Sequence, residues 1–447
     1  MGNTKKIFAI AVPIIIQQFS IHIQIWVDRA MLGQINPEFF SAIGNSLVPY
    51  NAVTFIIFGI CSGTTILVAQ SIGAKDYALS RRYAECSFIG NSIFPVIAFL
   101  YFFFCSSWMF KVMGVQQPIL EYASNYIRII SFSLFILGIA STCGSILQGI
   151  GFTKMIMVAG IISNVLNILL DWILIYGKFG FPRMEIEGAA LATIISNSAA
   201  IPFLFIYILK RKKIPFRVKL GNIIKFDFNL YKNVFKIGLP SGAEFAFWSV
   251  GNLFIVSFLN RIDILATGIY TLVFSLKSLS VLLYLGFGKA AMTLAAQKTG
   301  GNEHDQAVSI GFKCLNYSLI ICVAVTIIFC IFPKGILGMF TSEVSFISFA
   351  SPFLIFSAFI MFPQAVNIVT GHGIRGMGDT KWMFYSQIFG TVLVPSLSYV
   401  LIFIFNLGLW GVFITYFADE FVRGIINLLR FWKGREVFLL KPFKIKV

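Results

Sequence analysis

Apolar runs long enough to cross a lipid bilayer recur along this chain, and that recurrence excludes most folds. A transmembrane helix needs roughly 20 consecutive apolar residues. Runs of this kind fill a chain of 447 residues in which 58% are hydrophobic and 12% charged. A soluble chain of this length needs far more polar surface. Within lipid, every backbone N–H and C=O must be satisfied internally, so only helices or a closed barrel can span. The runs lack the strict alternation of barrel strands, and they predict an all-α integral membrane protein.

Twelve spans are predicted, at 7–33, 44–72, 84–108, 122–148, 154–177, 187–209, 234–260, 264–297, 308–332, 345–372, 381–406 and 409–431. An even number places both termini on one side. Positive charge marks the cytoplasmic side of a membrane protein. "KRKKIPFRVKL" (210–220), "KDYALSRR" (75–82) and the tail "FWKGREVFLLKPFKIKV" (431–447) all fall together, so both termini are predicted cytoplasmic. The opposite loops hold only Lys111, Lys178, Arg183, Arg261 and Lys334. This asymmetry accounts for the net charge of +17 without a nucleic-acid partner. Lys5 and Lys6 precede an apolar run, as in a signal peptide, but that run is too long and carries Pro13, Gln17, Gln18 and Gln24. It predicts an uncleaved first helix. The seven cysteines lie in apolar runs without paired metal-ligand spacing and read as small core residues.

The sequence repeats at one offset. Pro13 matches Pro240, "VAQSIGAKD" (68–76) matches "AAQKTGGNE" (295–303), and "QGIGFTKM" (148–155) matches "RGMGDTKW" (375–382), each pair 227 residues apart. Two six-helix halves in the same orientation imply parallel repeats about an axis along the membrane normal. The domains are therefore an amino-terminal lobe (1–209), a basic linker (210–233), a carboxy-terminal lobe (234–432) and a basic tail (433–447). "GIG" and "GMG" suit tight turns that need positive φ. Thr153 and Thr380 are placed to cap the helices that follow.

Ionisable residues inside a membrane are functional candidates by default. Pro13, Gln17, Ser20, Gln24 and Asp28 share one face of the first span, a polar stripe leading to Asp28. In the fifth span Asn167 and Asp171 are i, i+4 neighbours; in the sixth, Thr193 and Asn197 are. Two carboxylates with amide and hydroxyl oxygens suit a small hard cation such as Na⁺. They equally suit a proton, because two adjacent buried carboxylates do not both ionise readily. At the repeat offset Asp28 faces Ile255, Asn167 faces Val394 and Asp171 faces Ser398, so this acidic set exists in the first half alone. In the last span Asp419 and Arg423 have the spacing of an ion pair; Glu420 and Glu244 are left without a role. Lys277 and Lys289 lie in the eighth span, Arg128 in the fourth, and Arg29 follows Asp28. Such cations either neutralise the acids or favour anionic or zwitterionic cargo. His22 and His372 read as packing residues.

The chain resembles the multidrug and toxic compound extrusion (MATE) family. The resemblance is carried by "AVPIIIQQ" with "VDRAMLG", "LVAQSIGAKDYALSRR", "NVLNILLDWILIYG" (164–177), "IEGAALATIIS" (186–196) and "RGMGDTKW". It implies two six-helix lobes forming a V, alternating access, and export driven by an inward H⁺ or Na⁺ gradient. Asp28 falls at the family's helix-1 aspartate, fifteen residues after the proline. Asn167 and Asp171 match the helix-5 pair of the DinF-like branch, whose amino-terminal lobe binds the coupling cation; Thr193 is a weaker match to a helix-6 ligand. Pro13 sits where helix-1 bending has been proposed to accompany protonation. Glu244 lies about one turn before the family's usual glutamate, the tenth span lacks a carboxylate found in members with a carboxy-lobe Na⁺ site, and Arg29 replaces a small hydroxyl residue.

The resulting expectation is a secondary antiporter exporting small organic compounds in exchange for H⁺ or Na⁺. Its cation site is Asp28, Asn167, Asp171, Thr193 and Asn197. Gln17, Gln24, Arg29, Glu244, Lys277 and Lys289 are candidates for the substrate cavity. The alternative is a flippase of lipid-linked oligosaccharide precursors that uses a cationic cavity. No nucleophile–His–acid set or phosphate loop suggests an enzyme. No cofactor is expected, and the partners are a small organic substrate and membrane lipid. The chain reads as a monomer in the plasma (inner) membrane.

Overall fold

The computed structural model describes residues 2–33, 35, 37–210 and 214–434. Residues 211–213 of the basic linker and 435–447 of the basic tail lie outside them. Twelve long helices follow the twelve predicted spans among the described residues. They are α1 (Asn3–Gly33), α2 (Pro37–Gly73), α3 (Tyr77–Val112), α4 (Ile119–Ile150), α5 (Thr153–Tyr176) and α6 (Glu185–Lys210), then α7 (Phe228–Ile262), α8 (Ile264–Gly300), α9 (His304–Ile331), α10 (Val344–Gly376), α11 (Thr380–Ile404) and α12 (Leu409–Trp432). Eleven are long and apolar enough to cross a membrane. The exception is α12, which holds Asp419, Glu420 and Arg423, all buried.

Packing divides the chain into two compact units, Ile16–Gly242 and Met1–Ile15 with Ala243–Val447. The sequence placed the lobe boundary in the 210–233 linker. The packing boundary instead falls inside α1 and inside α7. Two contacts explain it. The first turns of α1 bury Ile7, Ile10, Ala11 and Ile14 against Phe287, Leu294, Ile310 and Val369 of the second unit. The first half of α7 crosses α2 in backbone contact: a Cβ added to Gly59 would lie 2.2 Å from the Gly242 Cα, and one added to Gly238 would lie 2.4 Å from the Ile60 carbonyl oxygen. Gly59 and Gly63 face Gly238 and Gly242, small residues four apart that let two membrane helices touch. At the repeat offset these positions become Gly286 and Ala290 on α8 and Ala11 and Ile15 on α1. There a Cβ on Gly286 would meet Ile15 Cγ1 at 2.4 Å and the Ala11 oxygen at 2.9 Å. The repeat is thus a repeat of contacts as well as of letters.

The first unit's core gathers Leu32, Phe102, Tyr126, Ile127, Leu134 and Ile175; the second unit's gathers Ile255, Tyr270, Tyr284, Phe353, Met361 and Phe413. The two glycine turns adopt the predicted left-handed backbone, with Gly151 at φ +94° and Gly378 at φ +99°. The capping expectation needs correcting. Phe152 and Asp379, one residue earlier than the threonines, occupy the N-cap positions of α5 and α11. Asp379 accepts from the Trp382 N–H at 3.3 Å and binds Arg430 at 2.6 Å, whereas Phe152 offers no side-chain cap.

Candidate functional site

The polar stripe of α1 lies along a matching stripe of α5. On α5, Gly160, Asn164, Asn167 and Asp171 recur at helical spacing and so share one face. The absent side chain at Gly160 leaves room for Gln17, whose Cγ would be 3.0 Å from a Cβ there. One turn on, Asn164 Nδ2 donates to Ser20 Oγ at 2.8 Å. Next, Gln24 Nε2 donates to Asp28 Oδ2 at 3.0 Å and also contacts the Asn167 amide. The hydrogen-bonding pattern favours Asn167 turned so that its Nδ2 donates to Asp171 Oδ2 at 3.3 Å and its Oδ1 accepts from the Thr193 backbone N–H at 3.3 Å. Asp28 and Asp171 are thus linked through the Gln24 and Asn167 amides.

Ionised carboxylates only accept hydrogen bonds, so each acid depends on the amides beside it for donors. Asn167 and Asp171 are each 1% exposed, and Asp171 Oδ1 is buried with no donor. No basic side chain forms a salt bridge with either acid among the described residues. The cluster therefore has spare oxygen valence and uncompensated negative charge, which a proton or a small cation would fill.

The structure brings Asp28, Asn167, Asp171 and Thr193 together and adds Gln24, which the sequence had assigned to the substrate cavity. Asn197 lies one turn along α6, where its Oδ1 accepts from Ser163 Oγ at 3.2 Å. Ser163 and Asn164 were missed, although Asn164 precedes Asn167 by three residues and its place on the stripe was legible. Pro13 lies inside α1, two residues before the packing boundary. Gln17 sits on the stripe beside Gly160. Arg29 is exposed and, among the described residues, makes no ion pair; it does not neutralise Asp28.

The second unit treats its charges differently. Glu244 is held by Arg375, whose Nε donates to Oε2 at 3.3 Å and whose Nη2 donates to Oε1. Arg375 opens the "RGMGDTKW" motif, which the sequence read only as a turn. Asp419 and Arg423 form the expected i, i+4 pair through two hydrogen bonds, one of 2.8 Å, and Arg423 Nη1 also donates to Gln387 Oε1 at 2.9 Å. Glu420 accepts from Gln364 Nε2 and Asn367 Nδ2, both at 2.8 Å. Lys277 is 3% exposed, with its Nζ 5.0 Å from the Phe274 ring centre and 5.8 Å from that of Tyr416. Lys289 is half-buried on α8. In the first unit Arg128 ties α4 to α3, its Nε donating to Ser106 Oγ at 2.9 Å.

A polytopic helical bundle built from two repeats, with carboxyls buried inside its apolar helices, has the build of a membrane transport protein. The MatE family model matches residues 13–173 and again 240–400, and the chain belongs to that family. The two matches start 227 residues apart, at the two repeat prolines. Among curated proteins the chain is similar to the uncharacterized transporter YisQ of Bacillus subtilis (strain 168), 25% identical over 97% of this chain and 95% of that one. It is also similar to the probable multidrug resistance protein NorM of Thermotoga maritima, 27% identical over 91% and 88%. Among solved structures, an outward-facing multidrug resistance MATE family transporter of the MOP superfamily superposes with a TM-score of 0.90 at 21% identity, over 99% of this chain and 97% of that one. A MOP superfamily transporter from Pyrococcus furiosus Vc1, described as having a binding pocket of reverse polarity, superposes at 0.89 with 21% identity over the same shares. The family's members are transporters, not enzymes.

Proposed function

We propose that this chain exports small organic compounds in exchange for H⁺ or Na⁺, by alternating access of its two repeats. The coupling cation binds at Asp28, Asn167, Asp171 and Thr193 with Gln24, and Asn197 extends the same polar face through Ser163. The observation that carries this reading is the Asp28–Asp171 pair, linked through Gln24 and Asn167, with Asp171 fully buried and no salt bridge to either acid among the described residues. A pair of acids in that state changes its charge when the cation leaves, and a transport cycle needs a site that does so. The relatives named as multidrug resistance proteins support the cargo class. Within it, Gln17 and Arg29 are the polar candidates for cargo contact. Glu244 is taken by Arg375 and so is not the acid that neutralises Lys277 or Lys289, which keeps a flippase of lipid-linked oligosaccharide precursors as the second reading. The protein acts as a monomer in the plasma membrane with both termini cytoplasmic.

The test is efflux of a panel of small organic dyes from proteoliposomes under an imposed pH gradient and, separately, an imposed sodium gradient. The wild-type chain should respond to at least one gradient, and Asp28→Asn should lose that response while still inserting. Equal gradient-driven efflux from wild type and Asp28→Asn removes the proposal.

A further inference from the structure

The glycines allow the second unit to be aligned with the first beyond the loops that differ in length. A Cβ on Gly188 would strike the Leu174 carbonyl carbon at 2.9 Å and the Ile175 nitrogen at 3.1 Å; one on Gly411 would strike the Leu401 carbonyl carbon and the Ile402 nitrogen, both at 3.1 Å. Residues 174 and 401 are repeat partners, so Gly188 and Gly411 are the same point on α6 and α12. From there Ser196 aligns with Asp419, Asn197 with Glu420, and Ala200 with Arg423. On α2 and α8, Tyr50 aligns with Lys277 at the original offset.

At these positions of α8 and α12 the second unit therefore gains two acids and two bases relative to the first, while it lacks the counterparts of Asp28 and Asp171. All four added groups are less than a tenth exposed. Asp419 and Arg423 close on each other. Among the described residues Glu420 has two amide donors and no salt bridge, and Lys277 has two aromatic faces and no salt bridge. Tyr416, beneath Lys277, lies one helical turn before Glu420 on α12, so Lys277 and Glu420 border the same face of that helix. Arg423, three residues after Glu420 on α12, is already bound to Asp419 and Gln387, and the nearby phenols are engaged as well: Tyr284 donates to Gln364 at 2.7 Å, and Tyr416 pairs with Tyr270 and donates to Asn252 at 2.7 Å.

We infer that Lys277 is a tethered cation that takes the place of a coupling ion in the second unit, so that Glu420 binds no exchangeable H⁺ or Na⁺ and the chain couples through the first unit alone. A carboxylate deep in a membrane needs a countercharge. The first unit borrows one from solution; the second carries its own on a lysine side chain. Lys277 is thus a specificity-determining residue that sets the number of cations moved per cargo. The inference deepens the proposed coupling role of the first unit and rests on it.

The experiment measures cations bound per chain in liposomes, as retained radioactive sodium and as protonated carboxyls counted by infrared spectroscopy. Asp28→Asn alone should lower binding at a fixed subsaturating cation concentration by on the order of tenfold or more; if it does not, the coupling site itself is misplaced. In that background Lys277→Met should add one bound cation per chain, and the further change Glu420→Gln should remove it. Lys277→Arg, which keeps the charge, should add none. No gain in the Asp28→Asn/Lys277→Met chain, when the Asp28→Asn/Lys277→Met/Glu420→Gln chain folds, overturns the inference. So does a gain that survives Glu420→Gln.

Discussion

Asp28 on α1 and Asp171 on α5 are joined through two amides, Gln24 donating to the one and Asn167 to the other. Charge on either acid therefore changes the cost of charge on the other.

Asp28→Asn and Asp171→Asn should therefore be non-additive. Each single change should weaken cation binding by on the order of tenfold or more, and the double variant should be little worse than either, the pattern of residues in one network. Binding isotherms for the four chains test it. Additive losses would mean two independent sites.

Much of this was legible before any coordinates. Spacing alone placed Asp28 at the end of a stripe and Asn167 with Asp171 on one face, because helical periodicity converts sequence distance into direction. The partner of each group was not legible. Glu244 meets Arg375, 131 residues away, and nothing in either local pattern points to the other. The division of α1 and α7 between units was equally hidden, since a continuous apolar helix gives no sign of where its neighbours change. The glycines were visible, but their meaning depends on which helix they face.

The glycine crossing predicts graded damage. Gly59→Ala would set a Cβ against the Gly242 backbone alone, which cannot rotate away, whereas Gly286→Ala meets the Ile15 side chain first and one backbone atom, the Ala11 oxygen, at 2.9 Å. Overpacking of this kind costs about 1–3 kcal/mol and more where backbone must move. Gly59→Ala should lower the thermal unfolding midpoint in detergent more than Gly286→Ala does. The reverse order would contradict the close approach of α2 and α7.

The cap of α11 separates two readings of one motif. Asp379, not Thr380, accepts the N–H at the helix start, so Asp379→Ala should cost about 1 kcal/mol for the cap. It also frees Arg430 from its partner. Thr380→Val, which removes only the hydroxyl from a buried site, should cost less. Unfolding midpoints of the two variants under one detergent condition decide between the two residues.

Glu244 and Arg375 form a pair whose value depends on keeping both partners. Each is largely buried, and the two are joined by two hydrogen bonds, so the charge left by removing one partner has no nearby substitute. Glu244→Gln or Arg375→Met should each destabilise by about 3–5 kcal/mol, the usual cost of stranding a buried charge. Glu244→Gln with Arg375→Met removes both charges together and should recover most of that loss. If Glu244 were a second coupling site, the double variant would regain stability but lose the transport response that Asp28 controls. With a purely structural pair it regains both, and efflux measured on the refolded double variant distinguishes the two.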